Sequence, residues 1–217
     1  MELIPCIGCL DEIENIGVSM KKITEWVILS GKFVTLVPLE YNRHDEFVRA
    51  IEEGQLHQLW YTNIPEPANV KADIERRLAL HEQGSMLPFT VIDNQTGVAV
   101  GMTTYMNIDA KTPRLEIGST WYARSAQRTP INTEAKYLLL EYAFEQLGGV
   151  AVEFRTHFLN HQSRRAIERL GAKLDGILRS HLRAKDGSIR DTCVYSMLAS
   201  EWPAIKTHLL WLMAKPR

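Results

Sequence analysis

At 217 residues the chain is long enough for one sizeable domain and too short for more than two small ones. Its 45% hydrophobic and 24% charged residues are ordinary for a globular protein, and a formal net charge of −1 argues against nucleic-acid binding through a broad basic surface. No apolar run reaches the ~20 residues of a membrane span, since Glu141 breaks YLLLEYAF, and the N-terminal MELIPCIGCLDEIE lacks the basic and apolar regions of a secretory signal. A cytoplasmic protein with no membrane and no nucleic-acid partner is expected.

Three cysteines make no disulfide framework. Cys6 and Cys9 form a C-x-x-C without a second pair or nearby histidines, so no metal is expected, and Cys193 sits in an apolar strand as a core residue.

Residues 1–19 show weak periodicity and read as a leader, either disordered or not part of the native start, because Met20 offers an alternative beginning. One domain over 20–217 follows. Lys32–Leu39 reads as a strand and Asn42–Glu53 as an amphipathic helix ended by Gly54; His44 within it is a surface histidine. The loop Gln55–Pro67 carries Trp60 and Tyr61, rings suited to a lid over a binding cleft or to a hinge on the core. Asn69–Gln83 is a second helix with Val70, Ile74, Leu78 and His81 on one side. Leu87–Asp93 and Val98–Ile108 form a hairpin about Asn94–Gly97, and Arg114–Tyr122 adds a third antiparallel strand. Val150–Phe158 is another strand, Arg164–Leu170 a short helix stopped by Gly171, and Leu174–Arg183 with Ser188–Leu198 a hairpin about Lys185-Asp186-Gly187. Glu201–Met213 closes the chain as a helix. The fold class is α+β, with a mixed, mostly antiparallel sheet and one parallel crossover at its centre.

That crossover organises the chain. After the strand ending at Tyr122 comes a basic loop, then Thr129-Pro130, an N-cap followed by the residue that tolerates the first helical position. The helix runs on through Phe144 to Gly148-Gly149. A helix N-terminus flanked by Arg124 and Arg128 suits a phosphorylated ligand, while solvated arginines on an ordinary crossover are the bland alternative.

The order of parts, with LSGKFVTLVPLE, LEIGSTWY, NTEAKYLLLEYAFE, RTHFLNHQSRRAIERLGA and DGSIRDTCVYSMLASEW, resembles the GNAT acetyltransferase superfamily, closest to its ribosomal-protein N-terminal acetyltransferase branch. The resemblance spans about residues 20–213. It implies a three-layer α/β/α fold splayed at the central strands, acetyl-CoA as donor, an amine acceptor on a small molecule or a protein N-terminus, and a monomer or homodimer. The family's pyrophosphate loop, Q/R-x-x-G-x-G/A, is matched at its first position by Gln127, while Pro130 and Asn132 replace the small residues. Pro130 has no N–H to offer, but those of Ile131, Asn132 and Thr133 remain unpaired by the helix. The resemblance implies cofactor contacts from Trp121, Tyr122, Arg124, Gln127, Arg128, Thr129, Ile131, Asn132 and Thr133, joined by Asn160, Ser163 and Arg164 from the N-x-x-S segment.

For catalysis, Glu116 is the candidate base or water-positioning group, since a carboxylate at a strand centre needs a reason; a solvated or arginine-paired carboxylate is the alternative. His157 is the second candidate. The tyrosine that serves some relatives as general acid is Ile167 here, which leaves the acid role open, with Tyr195 one option. Trp60 and Tyr61 are expected on the acceptor side. A CoA-binding module without catalysis is the rival reading.

Overall fold

A computed structural model of the chain describes residues 23–184 and 186–215. The readings made for Cys6, Cys9 and the 1–19 leader lie outside these residues. The described strands form one eight-stranded sheet in the order β1-β2-β3-β4-β5-β6-β8-β7. Strands β1 (Leu29–Ser30), β2 (Val34–Pro38), β3 (Met86–Asp93), β4 (Ala99–Asp109) and β5 (Arg114–Tyr122) are successively antiparallel. Strand β6 (Ala151–His157) runs parallel to β5, and β8 (Ile189–Leu198) lies between β6 and β7 (Lys173–Arg183), antiparallel to both. The helices are α1 (His44–Gly54), α2 (Val70–Glu82), α3 (Ile131–Glu141), α4 (His161–Arg169) and α5 (Trp202–Ala214).

Alternation along β4 sorts the helices into layers, because successive side chains of a strand point to opposite faces. Thr104 points to α2, where Arg77 donates to its hydroxyl. Thr103 and Tyr105 point the other way, to Lys136 and to the Leu139 carbonyl of α3. Helix α1 joins α2, its buried Phe47 meeting Trp121 edge-on with ring centroids 6.0 Å apart. Helix α5 packs on the α3 side, where Trp202 lies against Tyr137 and Phe144. The buried apolar side chains of both layers join in one core.

Two local features differ from the sequence expectation. The crossover helix does not run unbroken to Gly148: α3 ends at Glu141 and continues as a π-turn over Tyr142–Gln146, closed by Leu147 N–H on the Tyr142 carbonyl at 3.0 Å. The wider turn keeps Ala143 buried and lets Glu145 accept from the Trp202 indole at 2.7 Å. In the second helix, Arg77 joins the buried stripe of Val70 and Ile74, with Leu78 partly buried against the core beside it.

The start of the domain is tied to α3 by one side chain. Glu134 is buried, and its carboxylate accepts the N–H groups of Lys32, Phe33 and Val34 at 2.9, 2.6 and 2.9 Å. Three charge-assisted bonds satisfy the carboxylate where water cannot reach it.

Candidate active site

The site begins where a strand pair comes apart. β5 and β6 pair only over Arg114, Leu115 and Glu116 with Ala151, Val152 and Glu153. Beyond Glu116 the two strands continue, each held on its far side by β4 or β8, but their facing edges no longer bond to each other. The separation opens a cleft of about 1600 Å³. Ten arginines and lysines and two carboxylates, Glu66 and Asp73, line it, in a chain whose formal net charge is −1. The positive charge is thus concentrated in the cleft, which favours anionic ligands.

A bulge shapes the β5 edge. Between Thr104↔Gly118 and Met102↔Trp121 strand β5 holds one extra residue, and Ser119 takes a φ of 47°. Two buried cations flank the bulge from opposite faces. Arg77, 3% exposed, comes from α2, pairs with Asp73 at 2.7 Å and reaches the Ser119 carbonyl at 3.4 Å. Lys136, 6% exposed, comes from α3 and donates to the hydroxyls of Thr103 and Thr120 at 2.9 and 2.8 Å. Burial holds the Lys136 ammonium down, with a pKa of about 7. Gly101 lies across from the bulge, and a Cβ there would run into the Trp121 carbonyl.

At the wide end of the cleft, a short 3₁₀ turn over Arg124–Ala126 leads into the loop before α3. Gln127 donates to the Tyr122 carbonyl at 3.1 Å, and Arg128 adopts a φ of 61°. Thr129 accepts from Ile131 N–H at 3.3 Å, while Pro130, already in a helical conformation, takes the N-cap place one residue later than the sequence suggests. The first i→i−4 bond is Glu134 N–H to the Pro130 carbonyl. Arg124, Gln127, Arg128, Thr129 and Asn132 all line the cleft. Ile131 and Thr133 instead turn inward, the Thr133 hydroxyl accepting from Arg169 at 2.9 Å.

Trp121 and Tyr122 are buried along the cleft wall, and their Nε1 and hydroxyl have no hydrogen-bond partner among the described residues. On α4, Asn160 caps the helix through Ser163 N–H at 3.0 Å, and both side chains line the cleft. Arg164 does not line it: its guanidinium donates to the Tyr195 hydroxyl at 3.1 Å and the Phe158 carbonyl at 3.3 Å. Tyr195 also donates to Glu168 at 2.8 Å.

Glu116 is the last β5 residue paired to β6, at the apex of the split, and is 5% exposed. It accepts from Asn107 at 2.7 Å and lies 3.5 Å from Arg155. Burial raises its pKa, offset in part by the Asn107 bond and Arg155. Gly118 gives it room, since a Cβ there would meet Glu116 Oε1 and Met106 Sδ at 2.7 and 2.8 Å. His157, 5% exposed, accepts Leu159 N–H on Nδ1 at 3.0 Å, so the neutral ring carries its proton on Nε2. Burial, then the nearby Arg190, lowers its pKa. Trp60 and Tyr61 stand against it, ring centroids 5.1 and 6.5 Å away.

Sequence reading singled out His157, Tyr61, Asn160, Ser163 and most of the Arg124–Thr133 loop, which line the cleft; Trp60 packs against Tyr61 and His157, and Glu116 lies at the apex of the strand split, next to the lining residues Ile117 and Gly118. It missed Arg77, Lys136, Asn107, Arg155 and Arg190. Arg77 was the findable one, since it falls seven residues after Val70 on the buried stripe.

The comparisons agree with this architecture. The acetyltransferase (GNAT) domain model matches residues 34–173. YdaF of Bacillus subtilis (strain 168), named as a ribosomal N-acetyltransferase, is 34% identical over 110 residues, 51% of this chain and 59% of YdaF. The match thus spans less than two thirds of that relative. A GCN5-related N-acetyltransferase from Brucella melitensis superposes with a TM-score of 0.78 at 34% identity, covering 88% of this chain and 86% of that one. RimJ of Mycobacterium smegmatis, at 23% identity and a TM-score of 0.71 over 86% of this chain and 92% of its own, shares the fold. Split strands, a basic loop at a helix N-terminus and a family match across most of the sheet lead to one assignment: the chain belongs to the GNAT acetyltransferase domain family.

Proposed function

We propose that this chain is an acetyl-CoA-dependent N-acetyltransferase, passing the acetyl group to a primary amine by direct attack in a ternary complex. The observation that carries the reading is the parting of β5 from β6 after Glu116 and Glu153. It leaves two strand edges whose backbone groups can bond an extended, amide-bearing ligand. At the wide end of the split stand Arg124, Arg128 and the first turn of α3, which suit a pyrophosphate. CoA combines these two features.

The acceptor amine must lose a proton before its lone pair can bond to the thioester carbon; the C–S bond then breaks and the thiolate takes up a proton. Glu116 serves as the base, directly or through one water, and its raised pKa makes it a stronger one than a solvated carboxylate. His157, with its ring proton on Nε2, offers a hydrogen-bond donor to the same space. An α-amine titrates near ~7.7–8.0 and a lysine near ~10.4, so an α-amine asks less of this base. The name of the B. subtilis relative supports a protein N-terminus as acceptor, and a small amine is the other candidate.

The departure at Pro130 and Asn132 favours the second reading, a module that binds CoA without turnover. Incubation with acetyl-CoA and an amine library, followed by thiol release, separates the two. Glu116→Gln should leave calorimetric CoA affinity nearly unchanged while the rate falls by ~10²-fold, with loss of the limb on which the rate declines as pH falls. A glutamine variant that keeps wild-type turnover at every pH makes Glu116 structural. CoA binding with no turnover on any amine removes the transfer reading.

A further inference from the structure

The arginines on the α1/α2 side of the cleft are not alike. Arg76 and Arg77 pair with Asp73, and Arg155 pairs with Glu153 at 2.8 Å. Arg190 lines the same cleft half-buried, and among the described residues its side chain donates only from Nε to the Thr192 hydroxyl, at 3.3 Å. Among the described residues no carboxylate lies within 4.0 Å of it. Glu116 lies close enough for its charge to act on Arg190, and Arg190 close enough to act on His157, so the guanidinium shares the neighbourhood of the candidate base and of the Trp60–Tyr61–His157 cluster.

A guanidinium has five N–H donors, and Arg190 leaves most of them unspent in a partly desolvated place. An acceptor that is only a cation, such as an isolated lysine side chain, would enter against this charge. An acceptor with its own carboxylate or phosphate would instead form a charge-assisted, fork-shaped pair. Tyr61 lines the same cleft and packs with Trp60 against His157, so these rings can cover an apolar body while His157 Nε2–H supplies a further donor.

We infer that the acceptor is a primary amine bearing an anionic group, held by Arg190, next to an apolar body covered by Trp60 and Tyr61. The inference rests on the transfer reading above and narrows it to one acceptor chemistry. The anion can be the α-carboxylate of a free amino acid or the acidic side chain of a peptide's first residue, and the test separates these sources.

Transfer is measured for two matched pairs: phenylalanine against phenylalaninamide, and Asp-Phe-Ala-amide against Asn-Phe-Ala-amide. The anionic member of at least one pair should show a kcat/KM at least about tenfold higher, as expected for one charge-assisted pair. A preference in the first pair locates the anion at the α-carboxylate, and in the second at the side chain. Arg190→Gln should bring the anionic-to-neutral ratio near one, mainly through KM, and Arg190→Lys should retain part of it. Calorimetry with the acetylated products in the presence of CoA gives the same comparison without turnover. Charge-selective product binding that Arg190→Gln abolishes supports the inference even if no amine is acetylated, and then only the transfer reading fails. Equal or better use of the neutral members, or a preference that survives Arg190→Gln, overturns the inference and leaves transfer standing.

Discussion

Arg77 and Lys136 occupy mirror positions, one on each face of the sheet, both buried against the β5 bulge. They meet different fates. Arg77 has Asp73 beside it, so its charge is compensated inside the protein. Burial alone would raise the Asp73 pKa, but the attraction and hydrogen bonds of Arg77 and Arg76 outweigh it and hold the group below the usual carboxylate range. Lys136 meets only hydroxyls, and burial brings its pKa down to about 7. Burial therefore sets the cost of a charge, and the neighbour decides whether the charge persists. Together the two cations hold the backbone around Ser119 and Thr120, the strand edge that borders the cleft.

The strongest way to break this contrast is to remove the compensating charge. Asp73→Asn leaves Arg77 buried without a carboxylate and should cost about 3 kcal/mol or more, a fall of roughly 6–12 °C in thermal midpoint, read by calorimetry or urea unfolding. The same pair gives a pH signature. The folded pKa of Asp73 is lowered, so its stabilisation is complete above the unfolded value of 3.8 and is lost as pH falls through the folded one. The asparagine variant should lack that acid dependence.

A smaller effect of opposite sign is expected at Lys136. Between pH 7 and the unfolded value near 10.5 the unfolded chain binds a proton that the folded one does not, so stability rises with pH across this window. Below pH 7 both states are charged and the full burial cost is present. Lys136→Met should therefore raise the midpoint most at pH 7 and below, by roughly 2–8 °C, corresponding to ~1–2 kcal/mol after the two threonine bonds are lost. The gain should shrink as pH approaches 10.5. A midpoint difference that does not depend on pH would mean that Lys136 stays charged when folded.

The finest test makes the two sides alike. Thr103→Asp places a carboxylate beside Lys136, as Asp73 stands beside Arg77, and should restore the ammonium. Absolute stability should change little, but the rise in midpoint between pH 7 and 10.5 should flatten. A slope as steep as in the parent would show that a carboxylate at that position does not meet the ammonium.

The elements themselves were written in local patterns. β-prone runs gave β3, β4 and β5, the Asn94–Gly97 and Lys185–Gly187 signals marked the hairpins, and Thr129-Pro130 located the start of α3. Turn chemistry and amphipathic spacing act over a few residues, so a single chain displays them directly. The Arg124–Thr133 loop belongs to the same class, because a helix start flanked by arginines is written in neighbouring residues, whereas the N-x-x-S segment was legible only through the family resemblance.

What tertiary structure alone decided is which side chains meet. Arg164 looks like its neighbours in RTHFLNHQSRRAIERLGA, yet it faces Tyr195, because its place on α4 turns it away from the cleft. Lys136 reads as one more charge on a helix until α3 is laid on β4 and β5 and two threonines close over it. Arg190 lies 74 residues beyond Glu116, and nothing local ties them; β8 must pair with β6, and β6 with β5, before the two charges come near each other. Strand and helix signals are local, whereas the protonation state and partner of a buried charge depend on what packs around it. That packing is fixed by contacts far apart in the chain.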